Sequence, residues 1–314
     1  MITANQEKFN FRSVPLSHYT TFRIGGKAQM FCLISTLKQL KEVIDFARKN
    51  TFPINIIGNG SNLLISDQGL SGITIKLTGD FDFIENISEK HTDKFTEFKN
   101  NYVFLKIGSA TPLKKLIRYS INHSLTSAEF LWGIPGSFGG AVICNTGAFG
   151  HSIGDLIVEL TGIQADGQIK TLNRRQITFR YRKTILPEYL IITEGIIKLT
   201  RGEIKSIKSK IAEYQQKRKA TQPTGLCAGS VFKNPKSVPA GKLIDDCHLK
   251  GLSVGNAYVS EKHGNFIINR GHAQFNDVYE LIQIIKSIVE KKYNIILEEE
   301  IQILPKIKTL NSWR

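Results

Sequence analysis

Between Leu131 and Gly150 the chain reads Leu-Trp-Gly-Ile-Pro-Gly-Ser-Phe-Gly-Gly-Ala-Val-Ile-Cys-Asn-Thr-Gly-Ala-Phe-Gly, with glycine at 133, 136, 139, 140, 147 and 150. Solvated linkers are glycine-rich but polar, whereas large apolar side chains interrupt the glycines here. Such a run packs main chain closely against something flat or bulky, such as a cofactor ring. Tight crossings inside a core explain the segment equally well, so it decides nothing alone.

The rest of the chain narrows the choice. At 314 residues it is long enough for about two ordinary domains, and 41% apolar with 22% charged residues it can bury a core. No stretch approaches the roughly 20 apolar residues that span a bilayer. The first residues, Met1-Ile-Thr-Ala-Asn-Gln-Glu-Lys, lack the basic start and apolar run of a secretory signal, so a cytoplasmic, membrane-free protein is expected. Cys32, Cys144, Cys227 and Cys247 form no CxxC pair and no compact Cys/His cluster, and the expectation is reduced thiols and no metal. The net charge of +15 favours anionic partners. No aromatic-basic RNA signature or zinc-finger spacing accompanies it, so a nucleic-acid partner is not expected. No obligate protein partner is evident.

Thr36 to Asn50 reads as a helix: Thr36 and Gln39 stand at capping-box spacing, and Leu37, Leu40, Val43, Ile44 and Ala47 share a face. A buried strand is expected from Pro53 to Ile57, ending in a Gly-Asn-Gly turn. Further strands are expected at Ile73–Leu77, Tyr102–Ile107, Leu156–Leu160, Leu190–Leu199 and Asn265–Asn269. The polar segment 80–101 reads as a solvated excursion or a long hairpin. Helices are expected over Glu203–Ala220 and Asn276–Lys292, and a closing strand from Ile295 to Leu304. Strands and helices mix without regular βαβ alternation, which points to the α+β class.

Four further segments bear chemistry. Gly58-Asn-Gly-Ser-Asn can turn sharply and present several N–H groups to an anion, with Ser61 and Asn62 adding side-chain donors. It lacks the third glycine of a dinucleotide fingerprint, and on spacing alone a plain turn explains it better. Phe179-Arg-Tyr-Arg-Lys-Thr reads first as a basic surface. Gly229-Ser-Val-Phe-Lys-Asn-Pro sets Ser230 outside any hydrolase frame, yet its hydroxyl can deliver a proton, with Lys233 and Asn234 supplying nearby contacts. In Leu297-Glu-Glu-Glu-Ile, strand alternation puts Glu298 and Glu300 on one face and Glu299 on the other.

The order of these segments is more specific than any member. Thr20-Thr-Phe-Arg-Ile-Gly-Gly, Gly58-Asn-Gly-Ser-Asn-Leu-Leu, Gly133-Ile-Pro-Gly-Ser-Phe-Gly-Gly-Ala, Asn145-Thr-Gly-Ala-Phe-Gly, Tyr181-Arg, Gly229-Ser-Val-Phe-Lys-Asn-Pro and Leu297-Glu-Glu-Glu together resemble the UDP-N-acetylenolpyruvoylglucosamine reductases, the MurB family. The resemblance runs from about Ser17 to Leu304. It implies a two-lobed FAD-binding region of the vanillyl-alcohol-oxidase (PCMH) type over residues 1–201, its lobes split near 68–72. An α+β substrate-binding domain over 202–304 and a tail over 305–314 follow.

The same resemblance implies FAD as cofactor and NADPH as co-substrate. Hydride would pass from flavin N5 to C3 of an enolpyruvyl ether on a UDP-sugar, and a proton to C2, giving UDP-N-acetylmuramate for peptidoglycan synthesis. Carried over by position, Ser230 is the proton donor, and Arg182 and Glu300 stabilise the enolic intermediate. Gly58, Asn59, Gly60, Ser61, Asn62, Gly133, Ile134, Gly139, Gly140 and Asn145 are the FAD positions. Arg218, Lys233 and Asn234 are candidates for the nucleotide-sugar phosphates. Thr184, Thr146 and Gly264 depart from the family's usual serine, alanine and alanine. The chain lacks the tyrosine-bearing insertion of one subgroup, which places it in the shorter one. Another flavoenzyme of the same scaffold acting on a hydroxy acid or alcohol, and a non-catalytic polyanion binder, are the alternatives.

Overall fold

The computed structural model describes residues 9–88, 101–187 and 189–305. They form two compact units, each assembled from separate stretches of chain. One comprises Phe9 and Asn10 with Cys32–Asn59 and Ile75–Arg218; the other comprises Phe11–Phe31, Gly60–Thr74 and the chain from Lys219 onward.

In the first unit, Leu37–Lys49 is a helix for the reason its sequence gives. Thr36 accepts from the N–H of Gln39, the Gln39 side chain returns to the cap, and Leu40, Val43, Ile44 and Ala47 are buried. The principal sheet runs in the order Ile169–Asn173, Ile157–Ile163, Ile191–Arg201, Tyr102–Gly108 and Ile84–Asn86, every pair antiparallel. Ile191–Arg201 lies at its centre, and seven of its first nine residues are buried. A half-wetted strand would alternate instead. Gly195 belongs to this strand because a methyl there would meet Leu160 Cδ2 at 2.8 Å and Phe138 Cε1 at 2.9 Å. The missing side chain thus makes room for the fully buried Phe138 ring. That ring, Leu105, Ile107, Leu116, Leu160, Ile197 and Leu199 form one core, each contributing about 1.5–3 kcal/mol on burial. The helix Ile204–Thr221 docks on it through Ile207 and Ile211, while Ile204 is exposed.

In the second unit, Ser253–Val254, Ala257–Val259 and Ile267–Asn269 form a small antiparallel sheet. The helix Phe275–Tyr293 covers a core with Val278, Leu281, Ile282, Ile285 and Val289, spaced at helical period. It ends at Asn294, whose left-handed conformation (φ 55°) closes the last turn.

Three expectations are revised. The stretch Ile54–Ile57 is a strand, but only Ile57 is buried, because it lies at the edge of a three-stranded sheet. The expected closing strand shortens to Gln302–Leu304, paired in parallel with Leu63–Ile65. Residues 298–300 form no strand and bond to a different partner, described below. The polar segment 80–101 includes a strand at Ile84–Asn86; its residues 89–100 lie outside those described. The outcome is α+β, with mostly antiparallel sheets and helices packed on them.

Candidate active site

Gly58-Asn59 and the segment around Ser137–Gly140 meet within the first unit. A methyl on Gly58 would fall 2.7 Å from Ser137 Oγ and 4.0 Å from Gly140 Cα, so the turn at Gly58-Asn59 lies against the start of the helix Phe138–Ile143. Ser137 caps that helix, accepting from the Gly140 N–H. Phe138 N–H and Gly139 N–H donate to the carbonyls of Thr111 and Ser109, each at 2.8 Å. A methyl on Gly139 would crowd Ser109 Cβ at 2.9 Å. Lys76 Nζ donates to the Gly58 carbonyl at 2.7 Å and to Asn59 Oδ1 at 3.4 Å, and burial lowers its pKa. Sequence reading missed Lys76; its only signal was a charged residue between the buried Ile75 and Leu77 of a strand.

Asn145 orients the next piece. It is buried at φ 41°, accepts from the Gly154 N–H at 3.0 Å and donates to the Arg180 carbonyl at 2.9 Å. Thr184 Oγ1 donates to the carbonyl of Val142, so the hydroxyl at this departure from the family pattern is put to use. Together they moor the hairpin Thr178–Arg180/Lys183–Ile185, whose two-residue turn is Tyr181-Arg182. Arg182 holds a left-handed backbone (φ 54°), a conformation costing a side-chain-bearing residue about 1–2 kcal/mol. Its Nη1 lies 3.2 Å from where a methyl on Gly147 would be. Arg218 packs beside Gly133, whose added methyl would sit 3.2 Å from its Cδ, and donates to the Phe130 carbonyl at 3.2 Å. The guanidinium lies 5.1 Å from the Phe149 ring, which stacks on Tyr214 at 4.2 Å. Burial lowers the pKa of Arg218, and guanidinium remains charged at neutral pH.

The second unit carries the remaining candidates. Gly60 must be glycine: at φ 65° a methyl would fall 1.9 Å from the Tyr19 carbonyl oxygen. Asn62 donates through Nδ2 to the Glu300 carbonyl at 3.0 Å, and its own carbonyl accepts from Gln302 N–H at 2.9 Å. One residue of the glycine turn is therefore bonded on both sides of Ile301. Glu300 in turn donates its N–H to the Val231 carbonyl at 2.8 Å, and Lys233 N–H donates to the Glu298 carbonyl at 2.8 Å. Phe232 and Glu299 thus form an isolated antiparallel bridge, and Ser230 is brought beside the Glu300 segment. Ser230 follows Gly229, at φ 77° with no atom within 4 Å of an added methyl, so the serine loop borders open space.

Other candidates have local partners. Lys233 pairs with Glu298 at 3.0 Å, and Glu299 pairs with Lys286 at 2.8 Å. Asn234 Oδ1 accepts from the Ala240 N–H at 3.0 Å, at the start of the helix Ala240–Asp246. Cys32 is buried, which pushes its thiol up to about 12, so it is no nucleophile. Among the described residues no group of three His, Cys, Asp or Glu side chains could hold a metal ion, and no helix is long and apolar enough to cross a membrane.

Comparison with known proteins fits this geometry. Residues 28–173 match the model of an FAD binding domain, and residues 222–304 match that of the UDP-N-acetylenolpyruvoylglucosamine reductase C-terminal domain. The UDP-N-acetylenolpyruvoylglucosamine reductase of Lachnoclostridium phytofermentans is 39% identical over 295 residues, covering 92% of this chain and 91% of the relative. That of Syntrophus aciditrophicus is 37% identical over 291 residues, covering 92% and 90%. The crystal structure of UDP-N-acetylenolpyruvylglucosamine reductase (MurB) from Thermus caldophilus superposes with a TM-score of 0.80 at 33% identity, covering 94% of this chain and 99% of that one. Fold and site together define an FAD-dependent oxidoreductase. The serine loop and the Glu300 segment lie in or beside the matched C-terminal region, and over nine-tenths of the chain aligns. The chain belongs to the UDP-N-acetylenolpyruvoylglucosamine reductase family.

Proposed function

We propose that the protein reduces UDP-N-acetylglucosamine enolpyruvate to UDP-N-acetylmuramate at the expense of NADPH, a step of peptidoglycan precursor synthesis carried out in the cytoplasm. The observation that carries the reading is the 2.8 Å bond from Glu300 N–H to the Val231 carbonyl. It ties the loop of Ser230, which borders open space at Gly229, to the segment of Glu300, and this supports a reading in which the two residues serve the addition of hydride and then proton across an enol ether.

The glycine packing fixes the turns that would cradle FAD: an added methyl would meet Ser137 at Gly58, Tyr19 at Gly60 and Ser109 at Gly139. Gly58, Asn59, Gly60, Ser61, Asn62, Gly133, Ile134, Gly139, Gly140 and Asn145 would hold the cofactor. FAD, when bound, accepts hydride from NADPH and supplies it to the substrate. Ser230 delivers the proton to C2. A serine is a weak acid, but the acceptor is a strongly basic carbanion-like centre. Arg182 and Glu300 stabilise the charge that builds on the substrate carboxyl group, by charge-assisted hydrogen bonding and by holding the enolic form. Arg218, Lys233 and Asn234 serve the nucleotide-sugar phosphates, with Lys233 exchanging its Glu298 partner for phosphate. On this reading residues 1–201 bind FAD and residues 202–304 bind substrate.

The test is NADPH consumption by the purified yellow protein with and without the UDP-enolpyruvyl sugar. Consumption that depends on the sugar, with a product of matching mass, supports the proposal. Equal consumption without the sugar, or oxidation of hydroxy acids instead, would reject it.

A further inference from the structure

The serine loop belongs to no sheet, yet the two residues after Ser230 have every backbone polar group accounted for, three of the four by a single residue. Asn265 accepts the Val231 N–H on its main-chain carbonyl at 2.9 Å. Its side chain accepts the Phe232 N–H on Oδ1 and donates from Nδ2 to the Phe232 carbonyl, each at 2.8 Å. The fourth group, the Val231 carbonyl, is taken by Glu300 N–H.

The primary amide therefore acts as a surrogate strand, meeting both backbone groups of one residue. Val231, Phe232 and Asn265 are all buried, so water cannot replace either bond. Asn265 is itself fixed, its N–H donating to His263 Nδ1 at 3.1 Å and its chain continuing into the strand Ile267–Asn269. On the other side of the serine, Cys227 is tethered through its carbonyl to Thr21 Oγ1 at 2.7 Å, but Gly229 touches nothing at its α-carbon face. The denser set of bonds next to Ser230 lies on its C-terminal side.

We infer that Asn265 is the positioning residue of the proton donor: its amide clamp on Phe232 holds the Ser230 hydroxyl where the substrate carbon is protonated. This rests on the reading of Ser230 as that donor. A misplacement of about 1 Å can slow such a step on the order of 10²-fold. No other protein side chain of this size offers one donor and one acceptor in a plane. Aspartate does so only when protonated.

The experiment compares wild type with Asn265→Ala, Asn265→Asp, Ser230→Ala and the double variant Ser230→Ala/Asn265→Ala, all as purified flavoprotein. Expected for Asn265→Ala are flavin reduction by NADPH within about twofold of wild type and little change in the KM for the UDP-sugar. Reoxidation by that sugar should fall on the order of 10²-fold with an enlarged solvent deuterium isotope effect. Hydrogen exchange at the Phe232 amide should speed up, with or without FAD. Asn265→Asp should recover reoxidation, relative to wild type at the same pH, as acid restores its hydroxyl donor. The double variant should be no slower than Ser230→Ala alone.

Normal reoxidation in Ser230→Ala would reject the donor reading itself. With Ser230→Ala blocked, wild-type reoxidation in Asn265→Ala would overturn the positioning role. So would equal slowing of both half-reactions, or a double variant slower in proportion to both singles. Failure of both Asn265 variants to accumulate as flavoprotein would also overturn it, by assigning the amide to folding.

Discussion

Glu300 and Val231 are joined by a 2.8 Å hydrogen bond from the N–H of the first to the carbonyl of the second. The carboxylate side chain takes no part in it. Substituting that side chain therefore leaves the seam between the serine loop and the strand in place, and the chemistry of the site can be altered without dismantling it.

Replacing Ser230 with alanine should leave the NADPH half-reaction intact, so the flavin still bleaches. Product should fall by about 10²–10⁴-fold, the range supplied by a positioned proton donor. Stopped-flow absorbance separates the two half-reactions, and near-normal reoxidation by substrate would dismiss the hydroxyl from the mechanism.

Glu300→Gln should slow reoxidation by about 10²–10³-fold while FAD content stays constant, because only charge stabilisation is removed. An unchanged rate would take the carboxylate out of the site.

Arg182 permits a cleaner separation of chemistry from stability. Its left-handed backbone favours glycine, so Arg182→Gly should melt higher than Arg182→Ala, by the equivalent of about 1 kcal/mol. Both should be equally slow in reoxidation, since both lack the guanidinium. Thermal melts with single-turnover kinetics decide it, and equal melting would show that the turn relaxes without cost.

Two glycines should respond differently to a methyl group. Gly60→Ala drives a methyl to 1.9 Å from the Tyr19 carbonyl oxygen and should cost about 1–3 kcal/mol from overpacking beyond its backbone strain, with loss of retained flavin. Gly229→Ala meets no atom within 4 Å, so only the penalty of its φ of 77° applies, about 1–2 kcal/mol. Flavin absorbance after gel filtration and melting temperature test the ranking.

Stability should fall in mild acid through His263. Burial first, then the charge of Lys250, lowers its pKa from the ordinary 6.5, with smaller opposing effects from a backbone hydrogen bond and Asp245. The unfolded chain takes up the proton near 6.5 and the folded one only at lower pH. The contribution is therefore whole above 6.5 and is lost as pH falls through the folded value. Protonation also removes the acceptor that His263 Nδ1 offers the Asn265 N–H. His263→Gln should flatten the decline in melting temperature between about pH 7 and about pH 5; an unaltered slope would assign the decline to other groups.

How much of this was readable beforehand depends on sequence distance. The Leu37–Lys49 helix was legible because cap and buried stripe lie within four turns. The central strand Ile191–Arg201 was legible because near-continuous apolar sequence reflects burial on both faces. The segment 295–304 read as one strand since alternation records exposure, not partner; the chain changes partner near Ile301. Asn265 was read only as the start of a strand, as its clamp acts 33 residues away. Lys76 was hidden likewise, its meaning residing in a carbonyl 18 positions earlier.

The bond from Asn62 to Glu300 spans 238 positions. During synthesis the glycine turn therefore leaves the ribosome long before the Glu300 main chain it will hold, and the serine loop waits for the same late segment. A chain halted short of residue 300 would lack both the second wall of the serine loop and the parallel partner of Leu63–Ile65. Residual turnover from such a fragment is not expected, and the exposed strand edge makes it a substrate for chaperones and proteases rather than a weaker enzyme.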